Sequence, residues 1–237
     1  MNPFVTALGA LRHPFCTAAL VCAALAGCAS GPPTPDWQLN AHDAAQKGVQ
    51  AYLSGDMQAE QRAFDRARAE TARTAQPALL ARVEMLRCAA QVASLVVAPC
   101  TPFDALRQDA AAPEQAYARY LAGQLQAGDV ALLPASQQGV AVALLAGDAN
   151  RAAAALTQIP EPLSRLVAAG VLLRVGQASP PVVAAALDVA SSQGWRRPLL
   201  AWLGLQVSRA EAAGDIEEAA RLRRRVVVLE RSGGGAL

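Results

Sequence analysis

From Asp36 onward, the chain alternates helix-like runs of apolar and polar residues with sharp turn signals. In the last run, Ile216, Ala219 and Leu222 recur three residues apart, and Val226 to Val228 continue this pattern, which is typical of a helix with one apolar face. Throughout the chain, such runs predict helices, and none of them predicts a strand. The helices are expected near residues 37–54, 56–74, 77–95, 102–109, 113–127, 134–146, 148–158, 162–175, 180–193, 198–213 and 215–231.

Glycines, aspartates and prolines separate these runs. In a Gly-Asp turn, glycine tolerates the left-handed backbone that ends a helix, and aspartate caps the amides that open the next one. Four such turns occur, at Gly55-Asp56, Gly128-Asp129, Gly147-Asp148 and Gly214-Asp215. At least three of them stand between helical runs and therefore predict helix–turn–helix hairpins. Several prolines suit first helical turns: Pro77, Pro102, Pro113, Pro134, Pro162, Pro181 and Pro198.

The composition indicates the same class of fold. Hydrophobic residues make up 53% of the chain but aromatic residues only 4%, so the apolar content is mainly alanine, leucine and valine. Alanine and leucine favour helices, and small alanine side chains let helices pack closely, whereas an all-β protein needs more aromatic and β-branched residues. We therefore expect an all-α protein built from antiparallel helical hairpins.

The first predicted hairpin carries residue types at the spacing of a known helical repeat. Its small-residue, turn, aromatic and close-packing positions are Gly48, Gly55, Phe64 and Ala67. On these residues, segment 41–75 resembles a tetratricopeptide repeat, a helix pair of about 34 residues. The departures from the motif are Ala51 in place of an aromatic residue, Glu60 in place of a small alanine and Ala72 in place of proline.

Two later segments match the repeat more weakly. They are residues 133–158, through Gly147 and Ala152, and residues 200–231, through Gly214 and Ala219. The resemblance implies helical hairpins stacked as a curved solenoid, whose concave face binds peptides or partner helices. The Gly-Asp turns are not evenly spaced by the repeat length, so an irregular helical bundle remains the alternative.

The N-terminus has the three-part layout of an export signal. Arg12 precedes an uncharged apolar run from Phe15 to Leu25, which is too short for a membrane span of about 20 residues. The sequence Leu25-Ala26-Gly27-Cys28 closes it and resembles the lipobox of bacterial lipoproteins. The resemblance implies that residues 1–27 are removed and that Cys28 receives a covalent lipid. The alternatives are an ordinary signal cut nearby and an apolar helix with an incidental Cys28.

The rest of the chain then divides into three parts. Residues 28–35 form a tether without core-forming side chains, residues 36–231 form the helical domain, and residues 232–237 form a disordered tail. By resemblance to lipoproteins, Ala29 and Ser30 lack the aspartate that marks inner-membrane retention. We therefore expect a protein held by lipid on the periplasmic face of the outer membrane.

Two cysteines remain in the mature chain, Cys88 and Cys100, in a compartment that favours disulfides. A bridge between them requires the helix that carries Cys88 to end by about Ser94 or Val96, so that the following loop returns Cys100 to within about 6 Å, Cα to Cα. We expect the disulfide. Two buried free thiols are the alternative.

Sequence motifs for catalysis are lacking. The chain has no nucleophile elbow, glycine-rich phosphate loop, HExxH or CxxC motif, and the mature chain keeps a single histidine, His42, which is expected to be exposed. We predict no enzymatic activity, no cofactor apart from the lipid on Cys28, and no metal site. The formal net charge of +2, which falls by one when Arg12 leaves, argues against a nucleic-acid partner.

Two segments are candidate partner-binding surfaces. The first is Trp195-Arg196-Arg197, ahead of Pro198, since tryptophan and arginine are enriched in binding hot spots. The second is the run from Arg221 to Arg225 on the last helix, where Arg221, Arg224 and Arg225 are the candidates. The alternatives are a tryptophan that closes a hairpin core, and a solvated basic face supported by a Glu217–Arg221 pair.

These features predict a lipid-anchored scaffold or adaptor that binds another envelope protein or peptide and assists the assembly of an envelope complex. One alternative is a periplasmic enzyme that acts on peptidoglycan or glycans through paired carboxylates. Another is a structural envelope lipoprotein without a strong partner.

Overall fold

The computed structural model describes residues 33–233, with side chains through Arg231. The predicted signal segment 1–27, the lipidation site Cys28 and the tether up to residue 32 lie outside the described residues, as do residues 234–237 of the predicted tail. Within the described range the protein is all-α, with eleven α-helices, one 3₁₀ helix and no strand, which confirms the predicted fold class.

The helices follow one another closely along the chain, and all but two match the predicted ranges within about two residues. Helix α4 is a single turn where a longer helix was predicted, and α5 ends at Leu121, six residues before its predicted end at 127. Helix α11 continues two residues beyond its predicted end. The bounds are α1 Asp36–Ser54, α2 Met57–Ala72, α3 Pro77–Ala93, α4 Thr101–Asp104, α5 Ala112–Leu121, the 3₁₀ helix Ala127–Leu132, α6 Ala135–Leu145, α7 Ala149–Thr157, α8 Pro162–Arg174, α9 Pro180–Ser192, α10 Arg196–Ala212 and α11 Ile216–Gly233.

Three of the four Gly-Asp turns form the predicted hairpin connections. Their glycines, Gly55, Gly147 and Gly214, have φ of 90°, 67° and 74°, in the left-handed region that favours glycine. In each turn the aspartate Oδ1 then accepts a hydrogen bond from a backbone N–H three residues later, at 2.9 Å. One dipeptide therefore ends one helix and caps the next.

The fourth dipeptide, Gly128-Asp129, does not form such a turn. Asp129 lies inside the 3₁₀ helix, where its carboxylate accepts from the backbone N–H of Gln126 at 2.9 Å and pairs with Arg119 of α5. Asp129 is therefore buried, whereas the aspartates of the other three turns are exposed.

Helices α1 and α2 pack at short range around Gly48 and Phe64. A Cβ atom at Gly48 would lie 2.7 Å from Cδ2 of the Phe64 ring, so only glycine fits at this contact. Ala67, one turn further along α2, has no exposed surface. Gly48, Phe64 and Ala67 therefore lie together where the two helices of the first hairpin pack most closely.

The later helices pack onto the earlier ones. Helix α8 lies against α3, where a Cβ at Gly170 would be 2.3 Å from the backbone oxygen of Val92, and α10 lies against α1 and α9. A hydrogen bond also joins α10 to α3, since the indole Nε1 of Trp202 donates to the backbone oxygen of Ala93 at 3.1 Å. In a regular solenoid each hairpin contacts only its neighbours in sequence. The contacts of α8 and α10 instead join the two halves of the helical domain around one core.

Cys88 and Cys100 are joined in a disulfide, with their Cα atoms 5.8 Å apart. Helix α3 ends at Ala93, and Leu95 adopts a φ of 61°, which turns the chain back toward α4. Arg174 of α8 holds the returning segment by donating from Nη2 to the backbone oxygen of Val96 at 2.8 Å. The helix therefore ends where the disulfide requires it to end.

None of the helices in residues 33–233 is both long enough and apolar enough to cross a membrane.

Candidate partner-binding site

The first candidate segment, Trp195-Arg196-Arg197, lies at the start of α10 and is engaged within the helical domain. Trp195 is 6% exposed, and its indole Nε1 donates to Oε1 of Gln50 on α1 at 3.2 Å. Arg196 donates from Nε to the backbone oxygen of Leu229 on α11 at 3.4 Å. Trp195 is therefore a core residue that closes the contact between α1 and α10, as in the alternative interpretation of the sequence.

Arg197 extends the same contact. Its guanidinium carbon lies 4.2 Å from the centroid of the Tyr52 ring, at the distance of a cation–π interaction. Tyr52 is 2% exposed, and burial raises the pKa of its phenol. Because both arginines of this segment already contact neighbouring helices, they hold α10 in place against α1 and α11.

The second candidate segment lies on α11, which packs along α10 through one apolar face. Ala219 and Leu222 are buried on this face, and Val226 and Leu229 are partly buried against the core. Their spacing of three and four residues places them along a single stripe. The stripe fixes the rotation of α11 and therefore decides where its other side chains project.

Arg221, Arg225 and Val228 follow at intervals of four and three residues and so lie along a second stripe of α11. Together with Arg224 they border a groove of about 450 Å³. Its apolar surface is formed by Leu199 and Leu203 of α10 and by Val228 and Leu229 of α11. We call this the arginine groove. Val228 is 70% exposed, so the groove presents apolar surface beside positive charge.

The three arginines of the arginine groove differ in their pairing. Arg221 donates to both carboxylate oxygens of Glu218 at 2.6 Å, and this hydrogen-bonded pair raises the pKa of Arg221 and lowers that of Glu218. The pair joins residues three apart and replaces the expected Glu217–Arg221 pair. Within residues 33–231, Arg224 and Arg225 make no ion pair or hydrogen bond. The groove therefore offers two guanidinium groups without a hydrogen-bonded partner, and Arg225 lies close enough to Glu218 to contribute to its lowered pKa.

The most deeply buried carboxylates serve packing between helices. Glu60 is bound by Arg87, Glu84 by Arg68 and Asp129 by Arg119, in each case across two elements. The Arg119 hydrogen bond lowers the pKa of Asp129, which is the opposite of what a general acid requires.

Two further observations concern possible chemistry. His42 is exposed on α1, as the sequence predicts. In the part of the chain that the structure describes, no three histidine, cysteine or acidic residues are grouped so that they could hold a metal ion.

No family model, curated protein or solved structure matches this chain.

Sequence patterns identified the arginines of α11 but not the apolar half of the groove. Leu199 and Leu203 come from α10, and they join the site only because α11 packs back along that helix. The signal within α11 was the spacing of Arg221, Arg225 and Val228, which places an apolar residue in line with two cations.

Proposed function

We propose that this protein is a lipid-anchored scaffold of the bacterial envelope that binds another envelope protein through the arginine groove. The observation that carries the proposal is the combination of an exposed apolar surface at Val228 with the unpaired guanidinium groups of Arg224 and Arg225. Exposed apolar patches bordered by charge are typical of protein interfaces, and arginine is enriched where binding energy concentrates.

The chemistry of the arginine groove selects the kind of segment that it binds. Two free guanidinium groups favour carboxylates, since arginine and carboxylate form paired, charge-assisted hydrogen bonds. The apolar strip of Leu199, Leu203 and Val228 favours aliphatic side chains beside those carboxylates. The expected occupant is an amphipathic helix of the partner, with acidic residues flanking a row of aliphatic residues.

The anchor completes the proposed role. Cys28 follows Leu25-Ala26-Gly27 in the lipobox pattern, and a lipid on this cysteine restricts the helical domain to the membrane surface. A partner in the same membrane then meets the arginine groove at a raised effective concentration. We propose the outer membrane, facing the periplasm, as the location.

The test of the groove is site-specific photocrosslinking in cells that produce the full-length protein. A photoreactive residue replaces Val228, and a matched control replaces Met57, which is equally exposed at 70% but lies on α2. We expect one dominant protein adduct at position 228 and none of the same mass at position 57. The adduct should fall at least tenfold when Arg224→Glu and Arg225→Glu are combined.

Mass spectrometry of the crosslinked peptide identifies the chemistry of the occupant. An acidic, aliphatic helix of an envelope protein supports the proposal. An adduct that survives the charge reversal, or one that forms equally at position 57, contradicts it. Adducts to lipid alone also contradict it, because they indicate that the groove faces anionic headgroups.

The anchor has a separate test. Cys28→Ala should move the protein from the membrane fraction to the soluble periplasmic fraction, with the Cys88→Ala, Cys100→Ala variant as a control that keeps the lipid. Membrane association that persists in Cys28→Ala overturns the anchor and leaves the groove test unaffected.

A further inference from the structure

A second groove lies on another part of the helical domain, between α3, α5 and the 3₁₀ helix. It has a volume of about 400 Å³ and is remote in sequence from the arginine groove. Its walls include Met85 and Leu86 of α3, Tyr117 of α5 and Leu132 of the 3₁₀ helix. Leu132 is 38% exposed, so part of this apolar wall is open to solvent. We call it the Glu114 groove, after the acidic residue in its wall.

Glu114 has one carboxylate oxygen occupied and one unused. Oε1 accepts from Nε of Arg82 at 2.5 Å. Oε2 is buried and has no hydrogen-bond partner among the described residues. The side chain as a whole is 13% exposed. An unsatisfied acceptor on a buried carboxylate costs free energy, and a donor on a bound molecule recovers that cost.

The electrostatic surroundings favour a cation as that donor. Arg82 supplies one positive charge, but its side chain is 60% exposed and therefore screened by water. Burial is the main cause that raises the pKa of the Tyr117 phenol, so this hydroxyl stays protonated. Glu114 is therefore the one carboxylate among the residues that line the groove, and its counter-charge is the exposed guanidinium of Arg82.

The single free oxygen also selects the shape of the cation. A guanidinium binds carboxylates best through two parallel hydrogen bonds, which need both oxygens. Arg82 already holds Oε1, so Oε2 offers one point of contact, and this suits a compact ammonium group.

The apolar wall is held in a fixed arrangement. The Tyr117 ring stacks on Tyr120, with ring centroids 6.0 Å apart. Tyr120 in turn donates from its hydroxyl to Oε1 of Gln137 at 2.8 Å, inside the core. A preformed apolar surface with few, well-placed polar groups and a volume of a few hundred Å³ is typical of sites for small molecules.

We propose that the Glu114 groove binds a small aliphatic primary amine. The Glu114 carboxylate turns so that its buried Oε2 faces the groove and accepts from the ammonium group, and the aliphatic stem lies on Met85, Leu86, Tyr117 and Leu132. The proposal is independent of the arginine groove, which selects acidic segments at a different surface.

The test is a binding titration of the purified full-length protein with its native disulfide intact. The probes are hexylammonium, 1-hexanol and hexanoate, which share one stem and differ in the head group. Amide chemical shifts in two-dimensional NMR report both the affinity and the site. We expect hexylammonium to bind with a Kd of about 1 mM, near Leu86, Tyr117 and Leu132. Hexanol should bind at least tenfold more weakly, and hexanoate should not bind.

Two variants separate the role of Glu114 from that of the apolar wall. Glu114→Gln keeps the shape of the side chain but removes its charge, and it should weaken hexylammonium at least tenfold without changing hexanol. Arg82→Gln removes the competing cation and should strengthen hexylammonium several-fold. Arg73→Gln is the matched control and should leave the affinity for hexylammonium unchanged, because Arg73 is exposed and does not line the groove.

The outcomes that overturn the proposal are equally specific. Equal binding of the three probes shows an apolar groove without amine selectivity, and shifts outside the Glu114 groove place the amine elsewhere. Binding of an acetylated, amidated Leu-Lys peptide in the absence of hexylammonium binding also contradicts a small-molecule site, because it assigns the groove to a lysine of a partner protein.

Discussion

Glu84 and Arg68 form a two-point ion pair that crosses from α3 to α2. Nε of Arg68 donates to Oε1 of Glu84 at 2.5 Å, and Nη2 donates to Oε2 at 3.0 Å. A second pair, Glu60 with Arg87, crosses between the same helices in the opposite sense. Phe64 stands between them, with the two guanidinium carbons 5.9 and 5.8 Å from its ring centroid. Two crossed ion pairs around one aromatic ring therefore fix α2 against α3.

This arrangement predicts that Arg68→Ala is strongly destabilising. The Glu84 side chain is only 5% exposed, so loss of Arg68 leaves a buried carboxylate without a counter-charge, and the free energy of unfolding should fall by about 3 kcal/mol. The matched control is Arg73→Ala, which removes an exposed pair with Glu70 and should cost about 0.5 kcal/mol. Urea unfolding followed by circular dichroism measures both.

A second change tests the cause of that loss. Replacing both members, in Arg68→Met with Glu84→Leu, removes the stranded charge and should be more stable than Arg68→Met alone. Equal losses in Arg68→Ala and Arg73→Ala, or a double variant less stable than the single one, contradict the interpretation.

The close contact of α3 with α8 predicts that alanine destabilises the protein at Gly170 but stabilises it at Gly204. Gly170→Ala places a Cβ 2.3 Å from the Val92 backbone oxygen, so the helices must separate, at a cost of about 3 kcal/mol. Gly204 is exposed inside α10, and an added Cβ there meets nothing within 4 Å. Gly204→Ala should therefore stabilise the protein by about 1 kcal/mol, through helix propensity. Thermal melting of both variants against the wild type measures the two effects. A Tm that moves in the same direction in both variants contradicts the close packing of α3 against α8.

The disulfide between Cys88 and Cys100 predicts a redox-dependent stability. Closing a loop of this length should contribute about 3 kcal/mol by restricting the unfolded chain. Dithiothreitol should therefore lower the Tm of the wild-type protein to that of Cys88→Ala, Cys100→Ala and leave the variant unchanged. A free-thiol count under denaturing, non-reducing conditions is the control and should find none in the wild-type mature protein.

Local chemistry explains why so many helix ends were predictable. Gly55 and Asp56 act through their own backbone and side chain, so the dipeptide forms the same turn wherever solvent surrounds it. At Gly128-Asp129 the outcome depends on Arg119, ten residues away, and local rules predict a turn that does not form. Helix α5 ends at Leu121 for a local reason, because Gly123 adopts a left-handed φ of 73° and its N–H donates to the backbone oxygen of Tyr120 at 3.0 Å.

Packing between distant helices was beyond the sequence patterns. The Trp195–Gln50 hydrogen bond joins residues 145 apart, and no periodicity within either helix indicates it. The sequence therefore left two roles open for Trp195, a partner-binding residue and a tryptophan that closes a hairpin core. The arginines of α11 were predictable because one helix carries them all, whereas Glu114 was missed because its unused oxygen is defined only by the position of Arg82 on another helix.

The Asp129–Arg119 pair predicts a specific acid sensitivity. The hydrogen bond from Arg119 is the main cause of a folded-state pKa below the ordinary value of 3.8, and the Gln126 N–H adds to it. In the unfolded chain both partners are lost and the pKa returns to about 3.9. Because the folded pKa is the lower one, the pair stabilises the fold fully above about pH 4, and this stabilisation is lost as the pH falls through the folded pKa.

Asp129→Asn should therefore be less stable than the wild type at pH 6, and the difference should shrink between pH 4 and pH 2. Asp188→Asn, an exposed position on α9, should follow the wild type throughout. Urea unfolding at each pH measures the difference, and a gap that stays constant or widens toward pH 2 contradicts the role assigned to this pair.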